Sequence, residues 1–80
     1  MPETFRNIIG PRVKEARMAQ AIRLSQSSFA RILQIGGLKI DRSAIAKIET
    51  GRRPVTDFEL VAIAEALGVQ VTWLLEGGDH

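Results

Sequence analysis

The residues best suited to chemistry cluster in one short run, residues 41–51, and they donate and accept hydrogen bonds rather than attack. At about 100° per residue, Arg42, Ser43, Ala46, Lys47 and Thr50 share one side of a helix, and Ala44, Ile45, Ile48 and Glu49 share the other. The first side is short, polar and basic, with an alanine in its middle that permits close approach to another surface. Arginine and lysine donate to guanine O6 and N7, and serine pairs with several bases, so this face suits base edges in a major groove. A solvated helix face carries the same residue types, and the wheel alone does not separate the two. Glu49 interrupts the apolar side. Arg17 does the same in an earlier helix, standing where the stripe of Val13 and Ala16 should continue. Two inward charges of opposite sign cost less paired than apart, so an Arg17–Glu49 salt bridge is expected. The alternative is that each side chain reaches solvent separately.

Other chemistries are poorly supplied. The chain has 80 residues, no cysteine and one histidine, His80. Disulfides, thiolate zinc sites and a cysteine nucleophile are therefore out, as is a His-x-x-x-His metal motif, and a Ser-His-Asp triad is implausible. No enzyme, metal or cofactor is expected. The longest run without a charged side chain, residues 66–75, is roughly half a membrane span. Glu3 and the lack of an apolar core near the N-terminus argue against secretion, and the missing cysteines suit a cytoplasmic location.

The net charge of +2 conceals a division. All eleven Lys and Arg lie in residues 1–53 with four acids, giving +7, whereas residues 54–80 hold five acids and no base, giving −5. That asymmetry points to a polyanion for the first two-thirds of the chain, with nucleic acid the commonest and anionic lipid the rival. A solvating shell of charge would leave the same composition.

Helices must position all of these residues, and nothing reads as a strand. Eighty residues provide one core and one domain, without repeats or linkers. Gly10-Pro11 opens a first helix with proline at its first position. Ser25 caps a second, with Phe29, Ile32 and Leu33 facing inward, and Gly36-Gly37 ends it. Leu38, Lys39 and Ile40 form an extended connector, Asp41 caps the third helix, and Gly51 stops it. Thr56 and Glu59 make a capping box for the fourth, with Val55 and Leu60 as a hydrophobic staple. Phe58, Leu60, Val61, Ile63, Ala64 and Leu67 supply its core face, and Gly68 closes it. Thr72 caps a last short helix holding Trp73, Leu74 and Leu75.

The runs SQSSFARIL, DRSAIAKIETGRR and LGVQVTWLL together resemble the phage repressor and Cro type of helix-turn-helix protein, over roughly residues 12–77. The most specific parts are Ile45, Ile48, Glu49 and Gly51, and the closing helix pair over 60–75. The resemblance implies an all-α, compact five-helix lambda-repressor-like DNA-binding domain filling residues 1–80, with 1–9 as an N-terminal arm and 77–80 as a tail. It implies that the second and third helices form the helix-turn-helix and that the third, about 41–50, enters the major groove. Carried over by position, Arg42, Ser43 and Lys47 read bases, and Gln26 meets a phosphate together with the N–H groups that open helix two. Arg52 and Arg53 clamp phosphates, and Arg17 with Glu49 matches the family's buried pair. One departure stands out. Nineteen positions separate Ala30 from Glu49, more than the motif commonly allows, and the excess falls in 34–40. Either helix two runs longer before Gly36, or the connector bulges outward with Leu38 and Ile40 anchoring it and Lys39 facing phosphates.

The expectation is a sequence-specific regulator of transcription, a repressor, whose partner is double-stranded DNA and which needs no cofactor. One helix reads few bases, so a homodimer on half-sites about 34 Å apart is expected. Its pairing surface is expected at Val71, Trp73, Leu74 and Leu75, in the acidic third. Two rivals are an antitoxin-like module that binds a partner protein as well as DNA, and a peripheral membrane binder. The second needs a basic amphipathic helix with bulky apolar anchors, and the only tryptophan lies in the acidic half.

Overall fold

Helices start where the sequence offers an oxygen to their unpaired N–H groups. Ser25 Oγ accepts from the Ser28 N–H, Asp41 Oδ1 from that of Ala44, and the Thr56 hydroxyl from that of Glu59. These caps open α2 (Gln26–Ile35), α3 (Arg42–Glu49) and α4 (Asp57–Leu67). Glu59 reaches back to the Thr56 N–H, which completes the expected capping box. In the computed structural model, which describes residues 5–76, α1 (Gly10–Met18) begins differently. Ile9 has no side-chain acceptor, and Asn7 Oδ1 takes the N–H groups of Ile9 and Gly10 at 3.1 and 2.9 Å. Pro11 is the second residue of this helix rather than the first. Residues 1–4 and 77–80, with the tail and His80, lie outside the described residues.

The last helix, α5 (Val71–Glu76), starts two residues earlier than a Thr72 cap would set it. The Gln70 carbonyl accepts from the N–H groups of Trp73 and Leu74, and Thr72 lies inside the helix with its hydroxyl against the Gln70 side chain.

Every element contributes to one core. Val13 of α1, Phe29 of α2, Ile45 and Ile48 of α3, Ile63 of α4 and Leu74 of α5 are fully buried. Each such side chain supplies about 1.5–3 kcal/mol of burial. Ile40 joins them from the connector, which is thereby anchored; Leu38 is half-buried and Lys39 exposed. Gln34 Nε2 pins the same segment by donating to the Ile40 carbonyl at 2.8 Å. Helix two runs through Ile35, directly before Gly36, and residues 36–41 make a fastened connector.

Three expected core residues are on the surface. Phe58 lies about 180° round the α4 wheel from Leu67, and Val61 also falls outside the buried sector of Ile63, Ala64 and Leu67. Ile32 stands on the flank of α2, whose inward face is Phe29, Ala30 and Leu33. In each case the true buried sector is narrower than the run of apolar residues.

α1 crosses α3 so closely that only glycine fits at position 10. A Cβ there would collide with the backbone carbonyl oxygens of Ile48 and Glu49. Alanine gains at most about 1 kcal/mol of helix propensity, while forcing the two backbones apart costs roughly 1–3 kcal/mol. Gly10→Ala is therefore expected to lower the melting temperature. An unchanged or higher value in thermal unfolding would show that the crossing has room to spare.

Candidate nucleic-acid interface

The exposed side of α3 is set by what its other side must bury. Ile45, Ile48 and Glu49 are buried, Ala44 and Ala46 half-buried, and Arg42, Ser43 and Lys47 exposed. The C-terminal end is fixed by the backbone. Gly51 adopts φ +78°, in the left-handed region that favours glycine. Its N–H meets the Ile48 carbonyl at 3.0 Å, and the Arg52 N–H meets that of Lys47 at 2.8 Å, a Schellman closure.

The buried charge of Glu49 is fully engaged. Arg17 Nε donates to Glu49 Oε2 at 2.7 Å and Arg17 Nη2 to Oε1 at 3.1 Å. Gln26 Nε2 adds a third bond to Oε1 at 3.0 Å, and Arg17 Nη1 donates to the Leu24 carbonyl at 2.9 Å. The side chains of Arg17 and Glu49 are only 11% and 3% exposed, so the expected pair forms away from solvent. Gln26 thus orients the carboxylate with one amide hydrogen, and the other remains for a further acceptor.

Two basic depressions flank the exposed face. Lys14, Arg23, Gln26 and Ser27 meet Arg42 along one edge. Arg6, Arg52 and Arg53 meet Ser43 and Lys47 along the other, with Asp41 at its rim. Arg6, Lys14 and Arg23 were not singled out by the sequence, because they are far apart in it and only the fold gathers them. Lys39 is exposed on the connector, and Arg52 is exposed with its Nε on the Thr50 hydroxyl at 3.3 Å.

Asn7 was also missed, although an asparagine just before a helix that lacks a polar cap is a legible signal. Besides capping α1, its Nδ2 donates to the carbonyls of Ile48 and Arg53 at 3.1 and 2.8 Å. The Arg6 N–H donates to the Gly51 carbonyl at 2.7 Å. Ile9 is buried, so residues 5–9 belong to the globule and brace the end of α3.

Arg53 differs from the others. It forms a two-pronged pair with Glu59, at 3.1 and 3.0 Å, and donates to the Pro54 carbonyl. The hydrogen bond from Arg53, more than any other influence, holds the Glu59 carboxyl below its ordinary range, and the same bond raises Arg53.

The expected pairing residues are only partly at the surface. Leu74 is fully buried and belongs to the core, because α5 packs it inward. Trp73 is half-buried beneath the Arg12 guanidinium, 4.3 Å from its ring centroid, Val71 is half-buried, and Leu75 is exposed.

Among the described residues, five helices with a short basic helix face turned outward match the architecture of a helix-turn-helix DNA-binding protein. A family model described as helix-turn-helix matches residues 13–74, and the chain belongs to that family, of the Cro/C1 type. It is a DNA-binding helix-turn-helix regulator. No curated protein and no solved structure matches the chain. No described helix is long and apolar enough to cross a membrane.

Two outcomes follow from the ion pairs. Arg17→Ala leaves the Glu49 carboxylate buried with Gln26 alone, at a cost of about 3–5 kcal/mol, a large part of the stability of a small domain. Arg17→Ala and Glu49→Ala should each lower the melting temperature markedly, and the double variant should lose less than their sum. Additive, mild losses would mean that the pair is not coupled in solution. For Glu59, the folded-state value lies below the unfolded one. The Arg53–Glu59 bond therefore contributes stability above the ordinary carboxylate range and loses it as pH falls through the folded value. Glu59→Gln should flatten that part of a stability-against-pH curve; parallel curves for both proteins would show no such contribution.

Proposed function

We propose that the protein is a sequence-specific transcriptional repressor that lays α3 in the major groove of double-stranded DNA. One observation carries this reading. Arg42, Ser43 and Lys47 stand exposed on a helix whose opposite face is packed in the core, with a basic depression along each edge. A helix in a groove about 12 Å wide has a phosphate wall on either side. Lys14 supplies a cation for one wall, and Arg6 and Arg52 for the other.

The roles follow from side-chain chemistry. Arg42 and Lys47 donate to guanine O6 and N7, and Ser43 adapts to donor or acceptor. The second amide hydrogen of Gln26 and the opening N–H groups of α2 receive a phosphate. Lys39 adds a cation at the tip of the connector. Arg53 is the weaker clamp, since the Glu59 charge offsets its pull on a phosphate, and Arg52 is the stronger. Repression is by occupancy: phosphate contacts fix register and base contacts choose the site. Because one short helix reads few base pairs, two copies act on half-sites about 34 Å apart.

Selection from a random duplex pool, followed by affinities on the selected site and on random duplex at one salt concentration, tests this. Arg42→Ala or Lys47→Ala should cost about 1–3 kcal/mol on the selected site and far less on random DNA. Arg52→Ala should weaken both by similar factors, since phosphates carry no sequence. For a dimer holding three or four phosphates per copy, log K should fall with log salt at a slope near about −6. Equal losses on both DNAs for Arg42 and Lys47 would mean that α3 holds the groove without reading it. An affinity indifferent to salt would overturn the DNA reading as a whole.

A further inference from the structure

The most conspicuous surface outside the basic face is apolar. Ile22, Ile32, Ile35, Phe58 and Val61 are exposed by 86, 43, 81, 81 and 48%. Single exposed apolar residues need no explanation, but Ile22 and Ile32 share one depression, and a contiguous group marks a contact surface. Ile32 and Ala66 line two adjoining depressions between α2 and α4. One runs out to Ile22 and Arg23, and the other to Gly36, Ala62 and Glu65. Phe58 precedes Ala62 by four residues on α4, which places it on the same stripe of that helix.

The two ends are opposites in shape and in charge. Ile22 projects at the first, whereas Gly36 and Ala62 leave the second a shallow socket. Arg23 marks the first end and Glu65 the second, and neither belongs to the two ion pairs among the described residues. A two-fold axis through the midpoint, at Ile32 and Ala66, would lay each end on its opposite in another copy. Ile22 would then enter the socket and Arg23 would meet Glu65, each contact occurring twice, as an isologous interface requires. A surface carrying both a knob and its socket, and both a base and its acid, fits itself.

We infer that this α2–α4 groove is where a second copy of the chain docks. The inference rests on the proposed dimeric reading and gives it a surface. It replaces the α5 surface, where Leu74 is buried and Trp73 lies under Arg12.

Sedimentation equilibrium of the full chain without DNA is the test, with circular dichroism melts confirming that each variant is folded. Arg23→Glu and Glu65→Arg each place like charges at both contacts, and each should weaken self-association by at least about tenfold. An equimolar mixture of the two variants should recover association, because every contact then sets a glutamate against an arginine. The double variant should recover it as well. Ile22→Asp should weaken association by a similar factor through the socket. A wild-type chain that stays monomeric, single variants that associate like wild type, or mixtures that do not recover would each overturn the inference. A monomer that still selects a sequence from random duplex overturns this surface and leaves the DNA reading standing. A dimer that recovers on mixing but selects no sequence supports the surface and overturns the DNA reading.

Discussion

The carboxylate of Glu49 is the point on which three helices agree. It is carried by α3, held by Arg17 of α1 and met by Gln26 of α2, while Arg17 also takes the Leu24 carbonyl from the link between them. A buried carboxylate without partners would cost far more than a small domain can spare. The three elements must therefore arrive together, and in one register. Whether such a pair adds net stability over an apolar substitute is a separate matter, since desolvation offsets much of its attraction. Its clearer effect is on geometry. With Ile45 and Ile48 it permits one rotation of α3 about its axis, and that rotation decides which side chains look outward.

The far end of α3 is fastened by a second set of bonds. Asn7 joins the start of α1 to the carbonyls of Ile48 and Arg53, Gly51 closes the helix, and Gly10 allows the two backbones to touch. A helix of this length is marginal in isolation, and its order comes from its surroundings. Being held at both ends allows so short an element to present side chains at fixed positions. Precise placement of donors is what direct reading of base edges demands.

Much of this was legible in the sequence, and the failures share a cause. Ser25, Asp41, Thr56 and Glu59 announce helix starts because capping depends on residues within one turn. The Arg17–Glu49 pair was legible because two charges broke two otherwise regular stripes. Phe58, Val61 and Ile32 were misplaced because hydrophobicity records what can be buried, whereas burial is decided by where the neighbouring helix lies. Leu74 was misplaced in the reverse sense, since a six-residue helix shows too little periodicity to distinguish its faces. Arg6, Lys14 and Arg23 were invisible for a third reason: their common surface is made only when α1, the first link and the N-terminal segment close around α3.

The two faces of α3 stand under different constraints. Substitution on its inner side disturbs a packed core, a buried ion pair or a close helix crossing, each of which costs several kcal/mol when broken. Exposed Arg42, Ser43 and Lys47 make no contribution to that interior, and surface changes of this kind commonly shift stability by about 0.5 kcal/mol or less. The residues proposed to read DNA are thus free to change identity while the helix stays in place. The same separation holds for the molecule at large. Cations gather around the outer face of α3, while the exposed apolar residues Ile32, Ile35, Phe58 and Val61 lie along α2 and α4. Arg23 borders both sets; elsewhere a sequence that alters one need not disturb the other, because the Glu49 node and the Asn7 brace fix the frame between them.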